Sequence, residues 1–519
     1  MFNLSIFGSH NAAIAISFGG EILEVVELER FINEKNAAFV FWGNHPNLFE
    51  LVTEVANYLK QKYNVTHYDN VIYNSCSDNI ERIFPANNYE WVPHHQAHAY
   101  SGLYQSPYNQ NTECLIISFD GGSDEGFFNV YLGTKGKELE KIYAGKKDYA
   151  VSYMMPAHYI EDIKQEDIFT GNLVYAGKLM GLAAFGKIKE KYIQPLIDFY
   201  HSNKTDNIPA AKERFEQIFS QFGIHNDTIR LAGQEAWDLA ATNQYVFELL
   251  FQKETDAILK AYPNHPIVIV GGCGLNIINN TKLASSRNIF VPPNPNDCGL
   301  AVGLLASKIK PFAPVDCTYI GPEVWDNLDL GRHLFERKGT FLNLDKLAVD
   351  IISGKIFGVV RGRCEQGPRA LGNRSIICNP TIAGMKDTLN ARVKGREYYR
   401  PFAPVVRLED VNKYFYATTE SRWMSFCPKV RPEYRDILSA ITHADGTARV
   451  QTVTREQNEF LYDLLTKIND ITGYGVLLNT SFNVAGKPIL NTYREAFQVL
   501  DTKDMDGLIL DNYCFMKNR

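Results

Sequence analysis

The chain lacks most of what would place a protein in a membrane or outside the cell. No apolar run approaches the roughly 20 residues that cross a bilayer. Met1-Phe2-Asn3-Leu4-Ser5 has none of the positive charge that opens a secretory leader. Cysteine is sparse and scattered. There are nine, an odd number, with no CxxC pair, which excludes a paired-cysteine zinc site and fits free thiols in a reducing compartment better than a disulfide framework. Excess positive charge is missing too. A net charge of −6 argues against a broadly basic surface and strong non-specific nucleic-acid binding. These absences predict a soluble cytoplasmic protein with no membrane partner. At 519 residues, 45% hydrophobic and 22% charged, the chain has material for two or three ordinary globular domains.

Two nucleotide fingerprints are incomplete. In Gly271-Gly272-Cys273-Gly274-Leu275-Asn276, the third glycine of a dinucleotide loop is replaced by Ile277. Gly181 to Lys187 nearly forms a phosphate-binding P-loop, but Ile188 stands where a hydroxyl should hold Mg²⁺.

What is present centres on Pro93-His94-His95-Gln96-Ala97-His98. Proline suits the first turn of a helix. A helix starting there places His94 and His98, at i and i+4, on one face and turns His95 elsewhere. Two imidazoles one turn apart are half of a first-row metal site and need acidic partners from distant segments. Leu4 to Phe7 followed by Gly8-Ser9-His10-Asn11, and Leu115 to Phe119 followed by Asp120-Gly121-Gly122, both read as strand, glycine turn and returning strand. That repeat predicts an internally duplicated α/β core, in which backbone N–H groups of each turn can cradle phosphate. Apolar spacing predicts a helix over 47–62, and residues 187–260 read as mostly helical. Lys308 to Asp329, with Pro311, Pro314 and Gly321-Pro322, loses periodicity and predicts a boundary near 312, dividing the chain into 1–312 and 313–519.

Beyond that boundary lie Arg361, Arg363, Arg369, Arg374, Arg392, Lys394, Arg396 and Arg400, all within forty residues and interleaved with apolar residues and glycines. Guanidinium groups fixed in turns suit phosphates, because each can hold two oxygens. Structural ion pairs or an RNA patch are the alternatives. Lys394-Gly395-Arg396 and Ser481-Phe482-Asn483 together could clamp a triphosphate and a small planar acid.

Glu365-Gln366-Gly367-Pro368-Arg369-Ala370-Leu371-Gly372-Asn373-Arg374-Ser375-Ile376 resembles the signature of the carbamoyltransferase family that includes nodulation-factor, cephalosporin and tobramycin carbamoyltransferases. Glu27-Leu28-Glu29-Arg30-Phe31, His94 to His98, Gly177 to Leu182, Gly271 to Asn276, Arg400 to Pro404, Asp445 to Gln451 and Leu478 to Asn483 resemble the same family in order. The resemblance implies an N-terminal actin-like domain, similar to the tRNA threonylcarbamoyladenosine transferase. It also implies a C-terminal α/β domain similar to the enzyme that makes threonylcarbamoyl-adenylate. ATP, with Mg²⁺, and carbamoyl phosphate would give carbamoyl-adenylate in the second domain. A metal-bearing first domain would then pass the carbamoyl group to a hydroxyl of a small molecule, sugar or modified nucleotide.

Carried over by position, His94, His98, Asp120 and Asp297 would hold iron(II) or another divalent metal. Gly121, Gly122, Lys178, Gly271, Gly272 and Asn276 would receive the adenylate in the N-terminal domain. Arg363, Arg369, Arg374, Lys394, Arg396, Arg400, Ser481 and Asn483 would bind ATP and carbamoyl phosphate. His10 and Lys35 would activate the alcohol and orient the carbamoyl group, with a turn-capping role as the alternative for His10. Two positions depart from the family pattern: Asn11 replaces an aspartate after His10, and Lys487 replaces a glutamate in Gly486-Lys487-Pro488-Ile489. A tRNA threonylcarbamoyl-type transferase and a non-catalytic nucleotide-binding protein are the competing functions. A hydrogenase-maturation role is disfavoured by the missing CxxC pairs.

Overall fold

A computed structural model describes residues 1–38, 48–76, 80–123, 125–163, 172–204, 207–224, 230–417 and 419–517. They fall into two compact units, Met1–Trp91 with Asp316–Arg519, and Val92–Val315. The second break lies close to the expected 312. The partition itself differs from 1–312 and 313–519, because residues 1–91 pack with the C-terminal part of the chain.

In the first unit, strands β1 (Phe2–Phe7), β2 (Ala13–Phe18), β3 (Glu21–Glu27), β4 (Tyr68–Asn74) and β5 (Ala86–Trp91) form a sheet of order β3-β2-β1-β4-β5. β1, β2 and β3 are an antiparallel meander, and β4 and β5 run parallel to β1. The helix Leu48–Tyr63 buries Val52, Val55, Ala56 and Leu59 against it, the period expected of 47–62; Asn47 lies outside the described residues.

The second unit repeats the plan. Strands β6 (Cys114–Ser123), β7 (Gly126–Gly133), β8 (Glu140–Gly145), β9 (Ile267–Val270) and β10 (Ile289–Phe290) take the order β10-β9-β6-β7-β8. Again the first three are antiparallel and the last two parallel to the first. Ile267-Val268-Ile269-Val270 is buried along its whole length, as a parallel strand covered on both faces should be. The expected α/β duplication is therefore present. The turn between β1 and β2, with His10, and the irregular end of β6 before β7, with Asp120, occupy equivalent places in the two sheets. Residues 187–260 are helical over Glu190–Ser202, Ile208–Phe219 and Gly233–Ala261.

The remainder of the first unit is an eight-stranded mixed sheet. Its strands are β11 (Thr340–Phe341), β12 (Phe357–Val360), β13 (Arg374–Cys378), β14 (Ala403–Arg407), β15 (Gln451–Val453), β16 (Val476–Ser481), β17 (Gly507–Leu510) and β18 (Tyr513–Met516). Their order is β11-β18-β17-β12-β13-β16-β14-β15.

The reason residues 1–91 join this part is a buried ion pair at the end of β3. Arg30 Nε lies 2.7 Å from Glu27 Oε2. Around them they grip the backbone of one distant glycine: Arg30 Nη2 donates to Gly367 O at 2.8 Å, and Gly367 N donates to Glu27 Oε1 at 2.6 Å. Gln366 Nε2 also donates to Glu27, at 3.2 Å. Burial leaves the Glu27 carboxyl raised to about 7 even with Arg30 pulling it down, while Arg30 is itself held above its usual value by Glu27 despite burial. With three donors converging on Glu27, the anion is the form this geometry holds. Val25 N to Ile320 O at 3.0 Å and Arg363 Nη2 to Leu23 O at 2.7 Å extend the seam.

Removing one partner of a buried pair strands the other charge, a loss of about 3 kcal/mol. Arg30→Met is expected to lower the denaturant midpoint accordingly, and Glu27→Leu with Arg30→Met should cost less than Arg30→Met alone. A double variant no more stable than the single one would show that the ion pair does not carry the seam.

Candidate active site

The helix His94–Gln105 follows Pro93, which caps it from outside rather than opening its first turn. His94 and His98 share one face, as i and i+4 require. His95 turns away: its Nδ1 lies 2.7 Å from Ser118 Oγ and its Nε2 3.0 Å from Gly126 O. The hairpin that follows β6 also holds the start of this helix, since Gln96 N donates to Glu125 Oε2 at 3.1 Å.

Two carboxylates meet the Nε2 edges of these imidazoles. His98 Nε2 is 2.9 Å from Asp120 Oδ2 and 3.3 Å from Asp297 Oδ1. His94 Nε2 is 3.9 and 3.6 Å from the same two oxygens. The four donor atoms all lie within 4.8 Å of one another. Asp120 is aimed by the glycine loops: Gly121 N donates to Oδ1 at 2.7 Å and Gly272 N to Oδ2 at 2.8 Å. Gly271 makes that approach possible. Its φ is +89°, and a Cβ there would stand 2.1 Å from Phe119 O. The incomplete dinucleotide loop therefore serves to orient a carboxylate.

The donor set fits a divalent cation. Two imidazole nitrogens and two carboxylate oxygens suit a first-row metal. His98 Nε2, although close to both carboxylates, is buried without hydrogen-bond geometry to either, as expected of lone pairs converging on a shared ion. Burial opposes a charged His98, yet the two carboxylates hold it up at about 9, and Asp120 is kept well below the usual range by both imidazoles against its burial.

The other residues carried over for the adenylate behave variously. Gly121 and Gly122 lie in the last residues of β6, where its pairing with β7 shifts register. Lys178 is buried in the helix Asn172–Ala183. Asn276 caps the helix Ile277–Ala284 and exchanges amide hydrogen bonds with Gln244 at 3.0 and 3.2 Å. The near P-loop ends at Gly186, where a Cβ would meet Trp237 O at 1.9 Å; it is a packing glycine.

The other cluster lies in the first unit. Lys394 Nζ donates to Ser481 O at 2.8 Å, Asn483 O at 3.0 Å and Asn483 Oδ1 at 2.8 Å, so the Lys-x-Arg and Ser-x-Asn segments do meet. Arg396 stacks over Phe402, 4.1 Å from its centroid, with its Nε buried and unpartnered. Burial, then Arg396, Arg400 and Lys35, depress Lys394 well below its ordinary value, whereas its three acceptors favour the ammonium. Those acceptors hold Lys394 as the ammonium. Burial and Arg400 push Arg396 to about 9 and Arg369 to about 10. Guanidinium keeps its proton at neutral pH, so these arginines remain charged although burial first, and then Arg400, works against it. Glu397, 3.5 Å from Arg400, acts against the shift of Arg396.

Three expectations change here. Arg374 is fully buried and spends its guanidinium on Arg361 O, Asn373 O, Gly362 O and Asn491 Oδ1, at 2.8–3.0 Å. Arg363 donates to the carbonyls of Gly321, Leu23 and Ile320. Both brace loops instead of presenting their charge to an anion. Lys35, assigned with His10 to the alcohol, stands close enough to Lys394 to act on its charge, and Lys487 Nζ donates to Asn33 O nearby at 3.2 Å. His10 Nδ1 pairs with Asn11 Oδ1 at 3.2 Å, and Asn11, at φ 59°, closes the turn. The sequence reading missed Arg449, which is buried, pushed well down by burial and by Arg369, Arg396 and Arg400, and has an unpartnered Nε. Its signal was there, in the Asp445–Gln451 stretch, outside the arginine-dense window.

Comparison with known proteins follows from these parts. Residues 44–306 match the family model described as carbamoyltransferase N-terminus, and 348–517 that described as carbamoyltransferase C-terminus. Nodulation protein NolNO of Sinorhizobium fredii is 32% identical over 458 residues, covering 82% of this chain and 64% of its own length. Nodulation protein NolO of Bradyrhizobium diazoefficiens is 31% identical, covering 82% and 78%. An uncharacterized protein of Methanocaldococcus jannaschii is 28% identical over 99% of both chains. Full-length HypF in its phosphate- and nucleotide-bound form shares a partial likeness, with a TM-score of 0.36 and 14% identity, covering 59% of this chain and 55% of its own.

His98→Ala is expected to weaken divalent-metal binding by on the order of 100-fold or more, read by titrating metal-stripped protein with Fe(II), Mn(II) and Zn(II). Equal affinity in variant and wild type would remove these four residues as the metal centre.

Proposed function

The chain belongs to the carbamoyltransferase family, and from that premise we propose that it makes carbamoyl-adenylate from ATP and carbamoyl phosphate and transfers the carbamoyl group to an alcohol. The observation that carries this reading is the group of Lys35, Arg369, Lys394, Arg396, Arg400 and Arg449: burial and then neighbouring cations of the group depress Arg369, Lys394, Arg396 and Arg449, with Glu397 acting against this on Arg396. Cations held together at such cost suit a ligand that carries several negative charges. ATP and carbamoyl phosphate are both anions, and their repulsion must be neutralised before their oxygens can meet.

With water consumed, carbamoyl phosphate releases phosphate. A carbamate oxygen then bonds to the α-phosphorus of ATP as its bond to pyrophosphate breaks. Arg369, Arg396, Arg400 and Arg449 hold the phosphoryl oxygens in this scheme. Lys394 lets go of Ser481 and Asn483 to join them, leaving the Ser481 carbonyl and the Asn483 amide to bind substrate. In the second step an alcohol oxygen attacks the carbamoyl carbon and AMP departs. His94, His98, Asp120 and Asp297 are the residues that would hold a divalent metal for this step. Such an ion, when bound, polarises the carbonyl and steadies the departing phosphate. The acceptor is assigned to the segment 187–260, whose helices border an open cleft lined by Lys189, Lys191, Tyr192, Glu235 and Asp238.

The two half-reactions are expected to separate by mutation. Arg396→Ala should reduce carbamoyl-phosphate-dependent ATP–pyrophosphate exchange by about 100-fold, on the order of 3 kcal/mol, while transfer returns when carbamoyl-adenylate is supplied. His94→Ala should leave exchange intact and lose transfer even from supplied adenylate. The reverse pattern would show that the chemistry is assigned to the wrong clusters.

A further inference from the structure

One ring beside the cation cluster is unlike its neighbours. His443 Nε2 is buried and meets no hydrogen-bond partner. Its Nδ1 lies 2.9 Å from Thr447 Oγ1. The loop that carries both closes through His443 N to Thr447 O at 2.8 Å and Gly446 N to His443 O at 2.9 Å.

The tautomer follows from the hydroxyl proton. Thr447 Oγ1 donates to Asp445 Oδ1 at 2.7 Å, and Thr447 N donates to the same oxygen at 2.9 Å. A carboxylate only accepts and a hydroxyl has one proton, so that proton is spent on Asp445. Thr447 Oγ1 can then only accept from the ring, and Nδ1 carries the ring hydrogen. Nε2 is left as a bare lone pair. Burial keeps the ring neutral, pushing it to about 4, with Asp445 opposing and Arg449 and Lys386 adding to the push.

A buried acceptor is a different chemistry from the cations around it. Phosphate oxygens would satisfy Arg449, two residues beyond Thr447, whose Nε is also buried and unpartnered. They offer nothing to the lone pair on Nε2, which needs an N–H or O–H. Carbamoyl phosphate supplies both in one small molecule, a phosphate and, across a single carbonyl carbon and bridging oxygen, an amide NH₂. We propose that His443 recognises the carbamoyl amide, its Nε2 accepting an N–H while Arg449 holds the phosphate, so that the site selects carbamoyl phosphate over acetyl phosphate. This rests on the adenylation chemistry proposed above.

The test is carbamoyl-phosphate-dependent ATP–pyrophosphate exchange by the full chain, with acetyl phosphate, which carries a methyl where the amide stands, as competitor. His443→Leu is expected to raise KM for carbamoyl phosphate by on the order of 10- to 100-fold. KM for ATP and the inhibition constant of acetyl phosphate should stay unchanged, which also reports an intact site. His443→Gln, with an amide oxygen able to reach the place of Nε2, should recover much of the loss. A raised KM for ATP instead would assign the ring to adenine or ribose. Equal weakening of carbamoyl and acetyl phosphate, or no change at all, would equally overturn the proposal. Absence of exchange in the wild type would overturn the adenylation reading itself, an outcome distinct from lost discrimination.

Discussion

The constraint on which this architecture turns is like-charge repulsion. Burial and neighbouring cations depress Arg369, Lys394, Arg396 and Arg449, with Arg400 acting on each of them, and such a group stays together only if the surrounding backbone holds it. Much of the nearby sequence does that work. Glu365 Oε1 accepts from the backbone N–H of Leu371, Asn373 and Arg374 at 2.7–3.1 Å, curling the loop around a carboxylate. Gly372 has a φ of +122° and a Cβ there would lie 2.4 Å from Leu461 Cδ1, so only glycine suits the tightest point. Gln366 and Gly367 are fixed by Glu27, and Arg374 ties four acceptors together. In a run that reads as rich in charge for substrate, Arg369 alone joins the cation group.

That division explains how far the sequence could be read. Helical spacing was enough to separate His94 and His98 from His95, because side-chain direction on a helix depends on position alone. Asp120 and Asp297 are far from them in sequence and were named through family resemblance; no local pattern could show that Gly272 would turn Asp120 inward. Counting arginines could not tell a guanidinium facing solvent from one absorbed by carbonyls, so Arg363 and Arg374 were grouped with the wrong partners while Arg449 was left out. The duplicated sheets were visible as repeated strand and glycine turns. The pairing of residues 1–91 with the C-terminal part was not, because it depends on Arg30 meeting a glycine 337 residues away.

Duplication has been followed by divergence at matching places. The end of β6 carries Asp120, whose carboxylate accepts from the backbone N–H groups of Gly121 and, from the second glycine loop, Gly272. The equivalent turn after β1 carries His10 and Asn11, and Asn11 in the left-handed region turns its amide toward Asn36 at 3.4 Å. One copy of the hairpin is thus equipped for a cation and the other closes on itself through neutral amides, although the strand order around them is the same.

The seam at Glu27 and Arg30 also bears on how the chain is made. Arg30 is synthesised 337 residues ahead of Gly367, an interval of roughly 20 to 70 seconds at ribosomal rates. The first sheet does not have to wait for that partner to close the core beneath the helix Leu48–Tyr63, since the buried residues of that core lie between Leu4 and Phe84. What it leaves unmet in the interval includes a carboxylate and a guanidinium, groups that water solvates well. A nascent lobe that shows ions at its waiting edge gives chaperones and neighbouring chains less to seize than one that shows leucine, and the order of synthesis is in this way reconciled with a unit made from both ends of the polypeptide.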